Sequence, residues 1–393
     1  MTSDDAQAMH GPGRFVIDAR YLTPKPSGIG HYVQALVDRL PALAPESRFE
    51  LWTHPQRPEP VTAPNLRSRP VAAPADGLRT LLVPSRLGPL RPSDVIHFPF
   101  SLLGRGLPCA TVVTVHDLMW LEQPELVEGR PLMRQIRQHY YQRGMRWALA
   151  RATRLIAVSE ATRQRMLRAA PECEPRVRVT HNAADARFTA AVDEQGARER
   201  AAAVIGARAP FFLVVGKNEP YKGHEVAIRA FAKSARDDEL LVLIQRTSAG
   251  RGLLPLAERL GVAHRLRFLP TVTADELVSL LQSARALLQP SIVEGFGIPA
   301  LEAMASGCPV VASDTPALSE VLAGAGLQAA VGDDDAFAAA MDRLRAPGVA
   351  SELRARGLVR ARDFDWQRTA HQTLAIYREA AAEGPRGSAS GNP

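Results

Sequence analysis

Short apolar, β-rich runs alternate with helix-patterned segments along this chain, and the alternation runs through once, pauses and starts again. That pattern constrains the fold to parallel sheets, because parallel neighbours need a long crossover and the crossover is usually a helix. In the first half, strands are expected at Arg14–Arg20 (RFVIDAR), Asp94–Phe98 (DVIHF), Ala110–Val115 (ATVVTV) and Arg154–Val158 (RLIAV). Helices are expected from about His31 to Leu40 and over Glu160–Arg168, the second N-capped by Ser159. The Ala/Arg/Glu-rich stretch Thr189–Ala209 reads as the inter-domain connection. Beyond it, strands are expected at Phe211–Val215, Glu239–Ile244, Leu266–Leu269, Arg285–Gln289 and Pro309–Ser313. The helices between and after them read as about His224–Ala235, Leu254–Leu260, Ala274–Ala284, Pro299–Ser306 and Trp366–Ala382.

The expected fold class is therefore α/β, with two Rossmann-like domains in tandem and a ligand cleft at the carboxyl ends of their strands. The expected boundaries are a flexible start over 1–13, a first domain over 14–195 and a second over 196–365. A helix over 366–383 is expected to pack back on the first domain, followed by a disordered Gly/Ser/Pro tail over 384–393. At 393 residues, with 46% apolar and 23% charged residues, the chain has ample material for two cores.

Composition removes several function classes. Met1–Arg14 is polar and lacks the apolar run of a secretory signal, and no stretch approaches the roughly 20 apolar residues of a membrane span. Cys109, Cys173 and Cys308 are odd in number and far apart, which fits neither a disulfide framework nor a metal cluster and points to a reducing cytoplasm. The formal charge of +7 comes from one segment: Arg130–Arg168 holds ten arginines against Glu160 alone. The basic balance therefore argues for no nucleic acid, and no nucleic-acid motif occurs. That segment suits either peripheral contact with an anionic membrane or a plain solvated helix. On a helical wheel Leu132, Ile136, Tyr140 and Trp147 share a face, but Arg143 falls within it.

Four constellations carry chemistry. The first, Gln289–Asp314 (QPSIVEGFGIPALEAMASGCPVVASD), places Glu294 on a strand-to-helix loop and Glu302 about one turn into the helix. Gly295 and Gly297 flank Phe296 and free the backbone for close approach, and Pro299 suits the first helical turn. Loop N–H groups and the helix start make an anion site fit for a diphosphate. The second, Gly216–Gly223 (GKNEPYKG), follows the strand FFLVV and holds Lys217 and Lys222, two of only four lysines in a chain that otherwise uses arginine. The third, Pro24–Tyr32 (PKPSGIGHY), brings Gly28 and Gly30 between the first strand and first helix. In the fourth, Thr114–Leu118 (TVHDL), His116 and Asp117 emerge at a strand's carboxyl end. Asp117 either orients the imidazole or caps a turn, and the cap is the simpler reading.

The first stretch closely resembles the signature of the retaining family-4 glycosyltransferases, enzymes of the GT-B fold with two facing Rossmann-like domains. The likeness extends over roughly Arg14–Glu379. It implies that Glu302 binds the ribose of a nucleotide-sugar donor, and that Glu294 with the amides of Phe296 and Gly297 holds the sugar hydroxyls. It implies further that Lys222, which matches the family's lysine, stabilises the leaving diphosphate, with Lys217, at a position often neutral in the family, compensating for the missing arginine, and that His116 contacts the sugar near the reacting carbon. GKNEPYKG departs from the family's Glu-Pro-Arg-Lys by placing Tyr221 where arginine is usual, and His31 replaces the arginine of GIGRY. The N-terminal pattern is similar to bacterial mannosyltransferases of polysaccharide assembly. The resemblance therefore implies metal-independent hexosyl transfer, mannose first, to an acceptor glycan, lipid-linked sugar or small molecule. Asp333–Asp335 and Asp363–Asp365 match Asp-x-Asp, but the first fits an N-cap better than a metal site. Two other readings share the fold: a nucleotide-sugar epimerase, and a non-catalytic nucleotide-sugar binding protein.

Overall fold

The computed structural model describes residues 14–23, 27–55, 62–82, 84–126, 131–234, 236–245 and 252–386. It divides into two compact units. One holds the described residues up to Glu122, Gln135–Asn182 and the chain from Trp366; the other holds Ala183–Asp365 with the described part of 123–134. The division thus falls at Asn182, ahead of the expected connection. Most of that connection is a regular helix of the second unit (Glu194–Ile205), capped by Asp193 accepting from the Gly196 amide.

The first unit carries seven parallel strands: β1 (Arg14–Asp18), β2 (Arg48–Thr53), β3 (Leu66–Pro70), β4 (Val95–Phe98), β5 (Ala110–Val115), β6 (Arg154–Ala157) and β7 (Val177–Val179). Their order is β3-β2-β1-β4-β5-β6-β7. The second carries β8 (Phe211–Val215), β9 (Leu240–Ile244), β10 (Leu266–Leu269), β11 (Ala286–Gln289), β12 (Val310–Ser313) and β13 (Leu327–Ala329). Their order is β10-β9-β8-β11-β12-β13, and every pairing in both sheets is parallel. The fold class read from the sequence holds: two α/β units of doubly wound topology. Parallel strands are covered on both faces, so they read as unbroken apolar runs, and FFLVV and LLVLI are buried almost throughout. In each sheet the order reverses beside the first strand, between β1 and β4 and between β8 and β11. Loops leaving the carboxyl ends of those pairs open a crevice, the usual ligand position in such sheets.

Six of the helices are α1 (Gly28–Val37), α2 (Pro131–Arg151), α3 (His224–Ser234), α4 (Ile298–Ala305), α5 (Asp334–Arg343) and α6 (Trp366–Glu383). Helix α6 packs on β5, α1 and β4 of the first unit. Helix α1 begins three residues earlier than expected, because the Ser27 hydroxyl accepts from the Gly30 amide and caps it there. Asp333 caps α5 through the Ala336 amide, while Asp334 and Asp335 pair with Lys233. On α2 the buried face is Tyr141, Met145, Ala148 and Leu149, offset from the face read off the wheel. Ile136 is exposed, and Trp147 stands between the guanidiniums of Arg105 and Arg151 at 4.8 and 5.3 Å. No helix among the described residues is long and apolar enough to cross a membrane.

Strands β2, β3, β7 and β13 were not expected. RFELWT places the charged Glu50 on a central part of the sheet, where its carboxylate is buried. Arg14 and Arg69 pair with it, the latter at 2.8 Å, and Trp52 donates its indole N–H at 3.3 Å. Arg14 also reaches the buried Asp94 at 3.1 Å, so the charges on β1, β2 and the start of β4 compensate one another. Removing one member of a buried pair leaves the other charge stranded. Glu50→Ala is therefore expected to cost about 3 kcal/mol in the urea-unfolding free energy; a loss within about 0.5 kcal/mol of zero would show the network to be slack.

Candidate active site

At the crevice of the second sheet the loop after β8 meets the loop after β11. Gly223 sits at φ +64°, and a Cβ there would stand 2.0 Å from the Pro290 carbonyl oxygen. Only glycine permits that approach. The Ile292 amide donates to the Tyr221 carbonyl at 2.7 Å and ties the loops a second time. The contact brings Lys222 to Glu294, with Nζ donating to Oε1 at 2.6 Å. The same oxygen accepts from Gln289 Nε2 at 3.0 Å and Ser291 Oγ at 2.8 Å. Both charged side chains are largely buried, 18% exposed for Lys222 and 10% for Glu294. A carboxylate held by three donors has a fixed orientation, and its partner lysine is an ammonium ready to follow an incoming anion.

Helix α4 starts immediately beyond. Gly297 precedes it at φ +106°, where a Cβ would meet Leu318 Cδ2 at 2.5 Å, and no side chain caps this end. Gly295, Phe296 and Gly297 are buried, with the Phe296 ring edge-on to Phe364 at 5.5 Å. Glu302 lies in the middle of α4 and is half-buried. Thus Lys222, Glu294, Gly295, Phe296 and Gly297 come together, with Glu302 further along the same helix. Gly216 follows β8 and Lys217 is exposed beside it. Tyr221 offers its ring to Lys222, whose Nζ is 5.2 Å from the centroid.

Three contributors to this site escaped the sequence reading. Gln289 and Ser291 orient Glu294; the visible signal was a glutamine closing the apolar strand ALLQ. The third is His224, the buried first residue of α3. The Gln245 amide N–H donates to its Nδ1 at 2.8 Å, which leaves the proton on Nε2. Burial, reinforced by the Lys222 charge, lowers its pKa to about 4.

In the first unit, His116 follows β5. Its Nε2 lies 3.1 Å from the Pro99 carbonyl at the end of β4. Burial lowers its pKa to about 4, so the ring is neutral near pH 7. Asp117 accepts from the Met119 amide at 3.0 Å and closes a turn, the simpler of its two expected roles. Gly28 and Gly30 lie in the first turn of α1 rather than in a loop ahead of it; Gly28 faces open space and Gly30 is buried. Of PKPSGIGHY, residues 24–26, with Lys25 among them, lie outside the described residues.

Residues 26–188 match the family described as Glycosyltransferase Family 4, and residues 197–356 match Glycosyl transferases group 1. A D-inositol 3-phosphate glycosyltransferase of Acidothermus cellulolyticus is 32% identical over 316 residues, covering 74% of this chain and 68% of that protein. The chain belongs to the family-4 glycosyltransferases. The protein of the same name from Salinispora tropica is 32% identical over 323 residues, 74% of this chain, and there the match spans 64% of the relative's length. Among solved structures, sucrose-phosphate synthase from Thermosynechococcus elongatus superposes with a TM-score of 0.72 at 19% identity, covering 95% of this chain and all of that one. At that identity the likeness speaks for the shared GT-B fold of this glycosyltransferase.

His97 of β4 is also buried, and burial lowers its pKa to about 3. His97, His116 and His224 thus all have folded pKa values below their usual 6.5. The unfolded chain takes up protons at these positions as pH falls through 6.5, while the folded chain does not until about 4 or below. Their effect on stability is thus neutral above about pH 6.5 and increasingly unfavourable toward pH 4. The urea midpoint is expected to fall between pH 7.5 and pH 5, and by less in His224→Gln; a midpoint that rises over this interval would contradict the neutral-histidine assignment.

Proposed function

We propose that this glycosyltransferase moves a hexose, with mannose the first candidate, from a nucleoside-diphosphate sugar to an acceptor hydroxyl with retention of anomeric configuration. The observation that carries the reading is the Lys222–Glu294 pair fixed at the switch point of the second sheet, beside the uncapped start of α4. A diphosphate entering there meets the α4 amides and draws Lys222 away from Glu294, whose carboxylate is then left to accept from sugar hydroxyls. Glu302 takes the ribose hydroxyls, with Lys217 and Gly216 beside it in the second unit; the start of α1 at Gly28 and Gly30 is assigned to the donor on the family resemblance alone. His116 enters on the family resemblance.

The acceptor oxygen attacks the anomeric carbon on the face from which the diphosphate departs. The bond to the diphosphate oxygen breaks, and that oxygen takes the acceptor's proton. Charge grows on the leaving group as this happens, and Lys222 stabilises it more in the transition state than in the ground state. The chemistry asks for no metal. The names of the two relatives make D-inositol 3-phosphate the first acceptor to try, ahead of lipid-linked sugars.

Calorimetric titration with UDP, GDP, ADP and dTDP, with and without magnesium, tests the donor site. One nucleotide is expected to bind, indifferent to magnesium, and GDP would support mannose; binding of none would sink the donor assignment. Glu302→Ala is expected to weaken that nucleotide by about 1–3 kcal/mol through loss of charge-assisted hydrogen bonds. Unchanged affinity in the folded variant would remove Glu302 from the site.

A further inference from the structure

Beneath His116 lies a line of polar groups with no exposure to solvent. Tyr32 of α1, His97 of β4, Thr114 of β5 and Tyr377 of α6 are each 1% exposed or less. Tyr377 Oη is 2.7 Å from His97 Nδ1; His97 Nε2 is 2.7 Å from Thr114 Oγ1; Thr114 Oγ1 is 3.0 Å from Tyr32 Oη. A neutral imidazole donates from one nitrogen and accepts at the other. The three hydroxyls can each do either, so all three bonds can run in one sense from end to end. A buried polar chain of this kind is costly if any link is missing and rigid when complete.

The line ends on His116. The Tyr32 ring stands perpendicular to the His116 ring at 5.1 Å between centroids, and the hydroxyl of the same tyrosine is the one held by Thr114. On its other side His116 Nε2 faces the Pro99 carbonyl at 3.1 Å. A carbonyl can only accept, so Nε2 carries the proton and Nδ1 keeps its lone pair. Among the described residues no hydrogen bond engages Nδ1.

We propose that Tyr377, His97, Thr114 and Tyr32 form a positioning relay that holds the His116 ring in the single orientation in which Nε2 faces the Pro99 carbonyl, and so lets that carbonyl keep the proton on Nε2. Nδ1 is thereby presented as an acceptor for a hydroxyl of the donor sugar. The proposal rests on the reading that His116 contacts that sugar, but its central claim concerns the ring itself. None of the four relay residues touches substrate; they act through His116. The relay also makes α6, which follows the second unit in the chain, a determinant of a group in the first.

Thr114→Val and Tyr377→Phe remove one hydroxyl each at nearly constant volume. The test is the ¹⁵N spectrum of histidine-labelled protein without ligand, recorded for wild type, both variants and His116→Ala, which assigns the signal. Wild type is expected to show His116 as the pure Nε2–H tautomer, and both variants a mixture, with melting that stays cooperative. With the sugar conjugate of whichever nucleotide binds in calorimetry, the variants should lose about tenfold in kcat while KM moves less than about twofold. A merely structural relay would lower the melting temperature and leave tautomer and kcat alone, and that outcome overturns the proposal. So does a wild-type ring protonated on Nδ1. A tautomer shift in the variants, together with full activity in His116→Ala, would keep the relay and discard the sugar contact instead.

Discussion

The candidate site of the second unit depends on one steric fact: at Gly223 two loops come so close that no side chain fits between them. The topology delivers those loops, since β8 and β11 are neighbours across the point where the strand order reverses. Glycine then lets the backbones touch, and the touch sets where Lys222 and Glu294 stand. Neither charge is comfortable alone at 18% and 10% exposure. Each covers the other.

What the sequence made legible depends on how far each residue's behaviour is set by its neighbours in the chain. ATVVTV and FFLVV announce strands because a parallel strand buries both faces and needs apolar residues throughout. The Gln289–Asp314 stretch was legible because strand, glycine loop and helix start succeed one another locally. RFELWT was not, because Glu50 is compensated by Arg14, 36 residues earlier, and by Arg69, 19 residues later. LRSRP is an edge strand whose exposed residues carry no apolar signal. The buried face of α2 was misjudged for a related reason: its arginine-rich sequence has no strong stripe, so packing partners choose the face. Gln289, Ser291 and His224 became functional candidates only when folding put hydrogen-bond partners beside them.

The three buried histidines share a logic. His97 lies within β4, His116 just past β5 and His224 at the start of α3; each is held neutral by burial, and each has at least one ring nitrogen in a hydrogen bond. Neutral imidazole offers both a donor and an acceptor without the desolvation cost of a charge. It is thus suited to the interior of both units.

Helix α6 has a further consequence. Tyr377 bonds His97 across 280 residues of sequence, and the helix packs on β4, β5 and α1 of the first unit. As the chain emerges from a ribosome, the second unit has nearly all of its segment, Ala183–Asp365, before the first has its closing helix. The unit begun first is completed last, and until then β4 and β5 lack the helix that covers them. The waiting surface is the one that holds His97 and Thr114. The vulnerable interval in the life of this molecule is therefore the stretch of synthesis between Asn182 and Glu383.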